Sequence, residues 1–386
     1  IRSTGFPGFF RMGFTPGKPE RRSAVSPELR PTFIAALATL ALGCHSNKEI
    51  MAPPSPGDEQ LAASPAVSRT DDSPPTDRLR LNHLQVKGTH NSYHRRPAFS
   101  LVREHAYEQA PLDVQLQEYG VRVVELDIHP SSRGYEVYHL PVIDSRSTCG
   151  LLVDCLGVLK KWSDSHPGHH ALFVWIEPKD EFGGGGFDMD ALDEEILSVW
   201  PRDRLVTPAL VRGEKASVRE AIEEEGWPEL DSVRNRAMFM LLDRGPQRKA
   251  YLRGGNGAGG AEGRIMFVLV NPGEFDEPFA AVAKIDNPAS RHIPVALGKG
   301  IIVGSNVGSA SGSDEGNSRK LQAGLEGGVH LLTGDFPAPV KGRAYWFRMP
   351  GGSPSRCNPV TAPAGCRSDE IENLAPVGGK SPPGSD

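Results

Sequence analysis

Residues 121–130 read VRVVELDIHP. The run Val121–Ile128 is mostly apolar, yet it carries two carboxylates, Glu125 and Asp127, two residues apart near its end. In a strand, residues two apart project from the same face. A strand with apolar residues on both faces belongs to a sheet that is covered on both sides, as parallel α/β sheets are. Two charges at the end of such a strand must then meet a cation or a polar site, because burying them unpaired is costly.

Similar runs recur along the chain at 84–87, 172–176, 237–242, 265–270, 301–303 and 329–333, separated by helical periodicity at 152–163, 189–199, 218–224 and 318–325. That alternation predicts a parallel α/β fold, either a closed (β/α)8 barrel or an open doubly wound sheet. Polar residues at the strand ends decide between them. His90 and Asn91 follow the first run, Glu125 and Asp127 close the second, Glu177 and Lys179 the third, and Asp243 and Asp335 follow later ones. Barrel enzymes gather functional groups from the C-terminal ends of several strands at one mouth, whereas an open sheet places a Gly-rich turn after its first strand. Gly183–Gly186 comes after Glu177-Pro178-Lys179 and fits no phosphate-binding fingerprint, so it reads as a loop. The expectation is an α/β chain with a TIM-type (β/α)8 barrel, regular or irregular, forming one catalytic domain over residues 79–375.

The flanks read differently. Phe33–Leu42, FIAALATLAL, follows Arg30 and precedes Gly43-Cys44, the order of an export signal. It is too short to cross a bilayer as a helix. ALGC at 41–44 resembles the lipobox of bacterial lipoproteins, in which Cys44 is lipidated, although Ala41 stands where Leu is usual. The alternative is a short buried helix. Residues 1–44 are therefore expected to be a basic N-terminus and lipoprotein signal peptide, and residues 45–78 a disordered Pro/Ser-rich linker. Residues 376–386 are expected to form a frayed tail. The chain is expected to be exported, either lipid-anchored to the cell envelope or secreted, and monomeric. The formal net charge is −5 although the first 43 residues are basic, so the body is acidic, which argues against nucleic acid as a partner.

With Cys44 set aside, Cys149, Cys155, Cys357 and Cys366 form an even set in a chain that reads as exported. Local disulfides, Cys149 to Cys155 and Cys357 to Cys366, are the simplest pairing. Zinc is the rival reading, but neither pair has zinc-knuckle spacing and no His falls beside them at ligand spacing.

Glu125 and Asp127 share a face, and like charges held that close call for a cation or a proton. Joined by Asn91 and Glu177 from neighbouring strands, they would make a ring of oxygen donors suited to Ca²⁺ or Mg²⁺. His90 adjoins Asn91, and His139 ends the alternating run YEVYH at 135–139. Two imidazoles on opposite sides of a phosphodiester can act as general base and general acid near neutral pH. His166, His169 and His170 fall in a Pro/Gly turn, where exposed histidines are common, and are set aside.

The segments GTHNSYH, VVELDIHP, YEVYHLPVID, the stretch from Thr148 to Asp180, GWPELDSVRNRAMFMLLD, TGDFP and RCNPVTAPAGC occur in an order that resembles the bacterial calcium-dependent phosphatidylinositol-specific phospholipases C. The resemblance covers residues 79 to about 373. It implies a TIM barrel that cleaves phosphatidylinositol, or a related inositol phospholipid at a membrane surface, to diacylglycerol and a cyclic inositol phosphate. His90 would take the proton of the inositol 2-hydroxyl and His139 would protonate the departing oxygen. Asn91, Glu125, Asp127 and Glu177 would hold Ca²⁺, while Lys179 would contact the phosphate or a carboxylate. The cysteine pairs match family positions. One departure is IIVGSNV at 301–307, where relatives carry an Arg-x-Asp-like segment. Two rival functions are a glycerophosphodiester phosphodiesterase and a non-catalytic lipidated surface module.

Overall fold

A computed structural model describes residues 79–98, 102–179, 187–254, 261–351 and 354–372. The readings for residues 1–78, including Cys44, for Gly183–Gly186 and for residues 376–386 lie outside these. The described strands are β1 (Leu84–Lys87), β2 (Val123–Ser131), β3 (Gly134–Val137), β4 (Leu172–Pro178), β5 (Ala237–Leu241), β6 (Phe267–Val268), β7 (Val282–Lys284), β8 (Ile302–Gly308), β9 (Leu331–Gly334) and β10 (Ser355–Cys357). They form two five-stranded sheets, ordered β3-β2-β4-β5-β6 and β10-β1-β9-β8-β7. Pairing is parallel except where β3 and β10 join as antiparallel edge strands. Isolated parallel bridges, Gly88 with Val123 and Leu269 with Val282, lie between the two sheets. The result is a mixed α/β domain built on parallel sheets.

Side-chain parity explains both the apolar runs and the position of the charges. Val124, Leu126, Ile128, Val174 and Ile176 pack outward against Leu152, Leu156 and Leu159 of the helix Leu152–Ser165 and Leu192 and Ile196 of the helix Met189–Val199. The opposite face carries Val123, Phe173, Trp175, Met238, Met240 and Phe267, clustered with Leu84, Val86, Ile302 and Leu331. Helix α1 is Leu112–Gln117, α2 is Leu152–Ser165 and α3 is Met189–Val199. Glu125 and Asp127 share the parity of Val123, and Glu177 that of Trp175, so all three carboxylates emerge just beyond the inner apolar cluster. Two glycines permit the close inner packing. A Cβ on Gly88 would lie 2.5 Å from Val123 Cβ, and one on Gly304 would lie 2.9 Å from Trp175 Cζ2. The Trp175 indole is fully buried, and its Nε1 has no hydrogen-bond partner.

Several boundaries moved for identifiable reasons. β2 starts two residues later than its apolar run and continues to Ser131, because beyond Ile128 it pairs with β3. The helix read at 318–325 begins at Asp314, with Ser313 accepting a hydrogen bond from Gly316 N as its N-cap. Gly316 and Gly324 weaken its helical signature. β7 is only three residues long and leaves no periodicity to read. Both local disulfides form.

His169 and His170 correct the expectation of exposure. Both are fully buried, with His169 Nε2 2.7 Å from Ser163 Oγ, and burial lowers both imidazoles to about 4, which keeps them neutral. Beside them Arg122, at the start of β2, donates from Nε and Nη2 to both oxygens of Glu372 at 2.7 and 2.8 Å. Both partners are buried, and the guanidinium also donates to the carbonyls of Leu116 and Val121 and lies over the Trp162 ring.

Candidate active site

The chain leaves β1 through Gly88-Thr89 and turns at Asn91, whose φ of +40° lies in the left-handed region that Asn tolerates better than most residues. The turn brings Ser92 against β2. Ser92 N donates to Glu125 O, and Glu125 N donates to Ser92 Oγ. The segment GTHNSYH is thus fastened to the carboxylate-bearing strand.

Glu125, Asp127 and Glu177 each place an oxygen within 4.8 Å of the other two. Two lysines accompany them. Lys179 Nζ lies 2.7 Å from Glu177 Oε1 and 3.1 Å from Asp127 Oδ2, and Lys284 Nζ lies 2.7 Å from Glu125 Oε2. Pro178 does not break the geometry, since β4 includes it and Lys179 N donates to Ile128 O. Lys179 therefore sits on the carboxylates. Asp127 is fully buried, and neither of its oxygens receives a well-aligned hydrogen bond. Burial raises its pKa to about 6; Lys179 opposes this, while Glu177 and Glu125 add to it. Burial also pushes Glu177 upward, but Lys179 and Lys284 outweigh it and hold that carboxyl below its usual range.

The donor set fits a hard divalent cation. It consists of carboxylate oxygens, one buried carboxylate lacks aligned donors, and two ammonium groups leave three carboxylates incompletely neutralised. Asn91 is buried in the turn beyond β1, and its side chain hydrogen-bonds the Tyr107 hydroxyl. Asp243 does not join the cluster. Its Oδ1 accepts from Gly245 N and Arg248 N at the start of the helix Pro246–Arg253.

The two histidines each lean on a carboxylate. His90 Nδ1 lies 2.8 Å from Asp335 Oδ1, its Nε2 lies 3.8 Å from Glu125 Oε1, and its side chain is 32% exposed. Asp335 is fixed in turn, since its Oδ2 accepts from Ala310 N. Burial works against charge on His90, but Asp335 and then Glu125 prevail and raise its pKa to about 9. His139 Nδ1 lies 2.8 Å from Asp144 Oδ2. Asp144 also meets His94 Nε2 at 2.9 Å and faces His105 Nδ1 at 3.7 Å. Burial favours the protonated acid, yet hydrogen bonds from His139 and His94 lower Asp144 to about 2.

Asp144 folds back onto His139 through a tight turn. Leu140 and Asp144 form an antiparallel bridge, and Ile143 N donates to Pro141 O across Val142 at φ +67°. A β-branched residue there is strained. The Val142 side chain is 92% exposed.

Sequence reasoning left Asp144, Lys284, His105 and Tyr107 unassigned. The spacing of Asp144 from His139 around Pro141 was the available signal for the first. Lys284 sits on a strand too short to give one.

The sequence model of the family described as phosphoinositide phospholipase C, Ca²⁺-dependent, matches residues 79–136 and 131–359. Among solved structures, the chain is similar to the apo form of a calcium-dependent phosphoinositol-specific phospholipase C from Pseudomonas sp, with 17% identity and a TM-score of 0.53 over 74% of this chain and 97% of that one. It is also similar to a Ca²⁺-dependent phosphatidylinositol-specific phospholipase C from Streptomyces antibioticus, with 17% identity and a TM-score of 0.52 over 67% and 95%. At such identity the likeness speaks for the fold. Comparison with curated protein sequences returns no match. The chain belongs to the Ca²⁺-dependent phosphoinositide phospholipase C family, and its cofactor is Ca²⁺.

Proposed function

We propose that this chain cleaves phosphatidylinositol, or a related inositol phospholipid, into diacylglycerol and a cyclic inositol phosphate. Asn91, Glu125, Asp127 and Glu177 hold the calcium ion. When bound, it lowers the pKa of the inositol 2-hydroxyl, neutralises charge growing on the phosphate, and offsets the field that keeps a proton on His90. His90, oriented by Asp335, takes the 2-hydroxyl proton as that oxygen attacks phosphorus. His139, backed by Asp144, gives a proton to the departing diacylglycerol oxygen. Lys179 holds Asp127 and Glu177 in place and offers an ammonium to a phosphate entering the ring.

The observation that carries this reading is the pairing of each imidazole with its own carboxylate, Asp335 for His90 and Asp144 for His139, beside the acidic ring. His90 lies against Glu125, while His139 acts electrostatically on Asp127. The two sheets, joined at Gly88–Val123 and Leu269–Val282, support an eight-stranded parallel (β/α)8 barrel around this site. The catalytic barrel spans residues 79–375 and acts as a monomer, exported and carried to the membrane by lipidated Cys44.

The test is an assay of purified protein on phosphatidylinositol and on glycerophosphoinositol, with calcium and with a chelator. Cyclic inositol phosphate should form from the phospholipid only when calcium is present. Hydrolysis of glycerophosphoinositol with the phospholipid left intact would favour the glycerophosphodiesterase reading instead. Asp127→Asn should shift the calcium dependence to higher concentration by at least about tenfold, as loss of a charged ligand does. An unchanged calcium titration would remove Asp127 from the ligand set.

A further inference from the structure

We propose that His105, His139 and Asp144 form a second cation site, separate from the carboxylate ring, that takes a transition metal of the zinc class and silences His139 when filled. One nitrogen of His105, one nitrogen of His139 and an Asp144 oxygen lie within 4.8 Å of one another. Asp144 Oδ2 is 2.8 Å from His139 Nδ1 and 3.7 Å from His105 Nδ1. Metal bonds of about 2.0–2.1 Å in tetrahedral geometry put ligand atoms roughly 3.3 Å apart, and the two separations straddle that value. The longer one exceeds a hydrogen bond, so His105 is aimed at Asp144 without being bonded to it.

The donor chemistry distinguishes this site from the acidic ring. Two imidazole nitrogens and one carboxylate oxygen suit zinc, copper or nickel, whereas calcium prefers oxygen alone. The support around the ligands is also that of a metal centre. His94 binds Asp144 at 2.9 Å and stacks on Tyr107 with ring centroids 4.3 Å apart, fixing the carboxylate from behind. His105 comes from a separate segment, the 3₁₀ turn Arg103–His105, and its ring stands at 89° to that of His139. The side chains of His105 and His139 are each 10% exposed, which leaves the site reachable from solvent. An imidazole with a cation on Nδ1 no longer cycles a proton, so occupancy removes the general acid. That clause rests on the reading of His139 given above; the binding itself does not.

The experiment titrates Zn²⁺ into the purified full chain with calcium saturating and no lipid, followed by calorimetry, with Co²⁺ visible absorption as a second probe of nitrogen ligation. One Zn²⁺ should bind per chain, with calcium unable to displace it. Affinity should fall at least about tenfold in His105→Ala and in His105→Gln, the latter retaining side-chain bulk. Parental Zn²⁺ affinity in both folded variants, displacement by calcium, or no Zn²⁺ uptake would each overturn the site. In a parallel phosphatidylinositol assay, Zn²⁺ should inhibit the parent at concentrations at least tenfold below those needed for the variants. Zn²⁺ binding without any phosphatidylinositol cleavage would uphold the site and remove the phospholipase reading; cleavage without Zn²⁺ binding would do the reverse.

Discussion

Alanine at His90 is expected to lower the rate of phosphatidylinositol cleavage by roughly 10²- to 10⁴-fold at saturating calcium, and alanine at His139 by a similar factor, the usual range for loss of a general base or acid. Neither change should unfold the chain. His90 is partly exposed, and after its removal Asp335 still accepts from Ala310 N; Asp144 keeps its contact with His94. The two variants differ in their pH profiles. A base must be unprotonated to act, so His90→Ala should lose the acidic limb of the rate profile, and His139→Ala the alkaline limb. Initial rates on lipid micelles across pH, with thermal melting as a folding control, make the measurement. A folded His90→Ala protein that turns over at close to the parental rate would dismiss it as the base.

The largest expected effect on stability lies far from that chemistry. Glu372→Ala strips the carboxylate partner from Arg122, a guanidinium that is 3% exposed and bonded to that carboxylate through two of its nitrogens. Breaking a buried ion pair from one side typically costs about 3–5 kcal/mol, because the remaining charge is left uncompensated. Two backbone carbonyls and the Trp162 ring still face Arg122, which places the expectation at the lower end of that range. Denaturant unfolding of the single variant and of Arg122→Met with Glu372→Leu makes the comparison. The double change should recover much of the loss, since an apolar pair removes the stranded charge. A single-variant loss under about 1 kcal/mol would mean that water reaches the guanidinium.

The sequence made the inner and outer faces of β2 and β4 legible because their parity is simple: every second residue belongs to one packing layer. The same parity puts Glu125 and Asp127 on one face, and Glu177 joins them because it ends the neighbouring strand β4. Asp144 and Lys284 stayed hidden for different reasons. Asp144 is delivered by a strained turn at Val142 that local propensity argues against, and Lys284 by a three-residue strand whose existence depends on β8 and on the bridge to Leu269. His169 and His170 look like turn residues by composition, yet tertiary packing buries them. Composition describes only the immediate chain, whereas His170 meets Ser355 Oγ and the His169 carbonyl accepts from Asn235 N, both from distant segments.

Trp175 has one more consequence. Its indole lies 5.9 Å from Lys284 Nζ, and that ammonium holds Glu125. When the charge around Glu125 is rearranged, the local field at this indole changes with it. Trp175, one of five tryptophans, should therefore shift its ultraviolet emission when the acidic ring changes charge, with no dye attached.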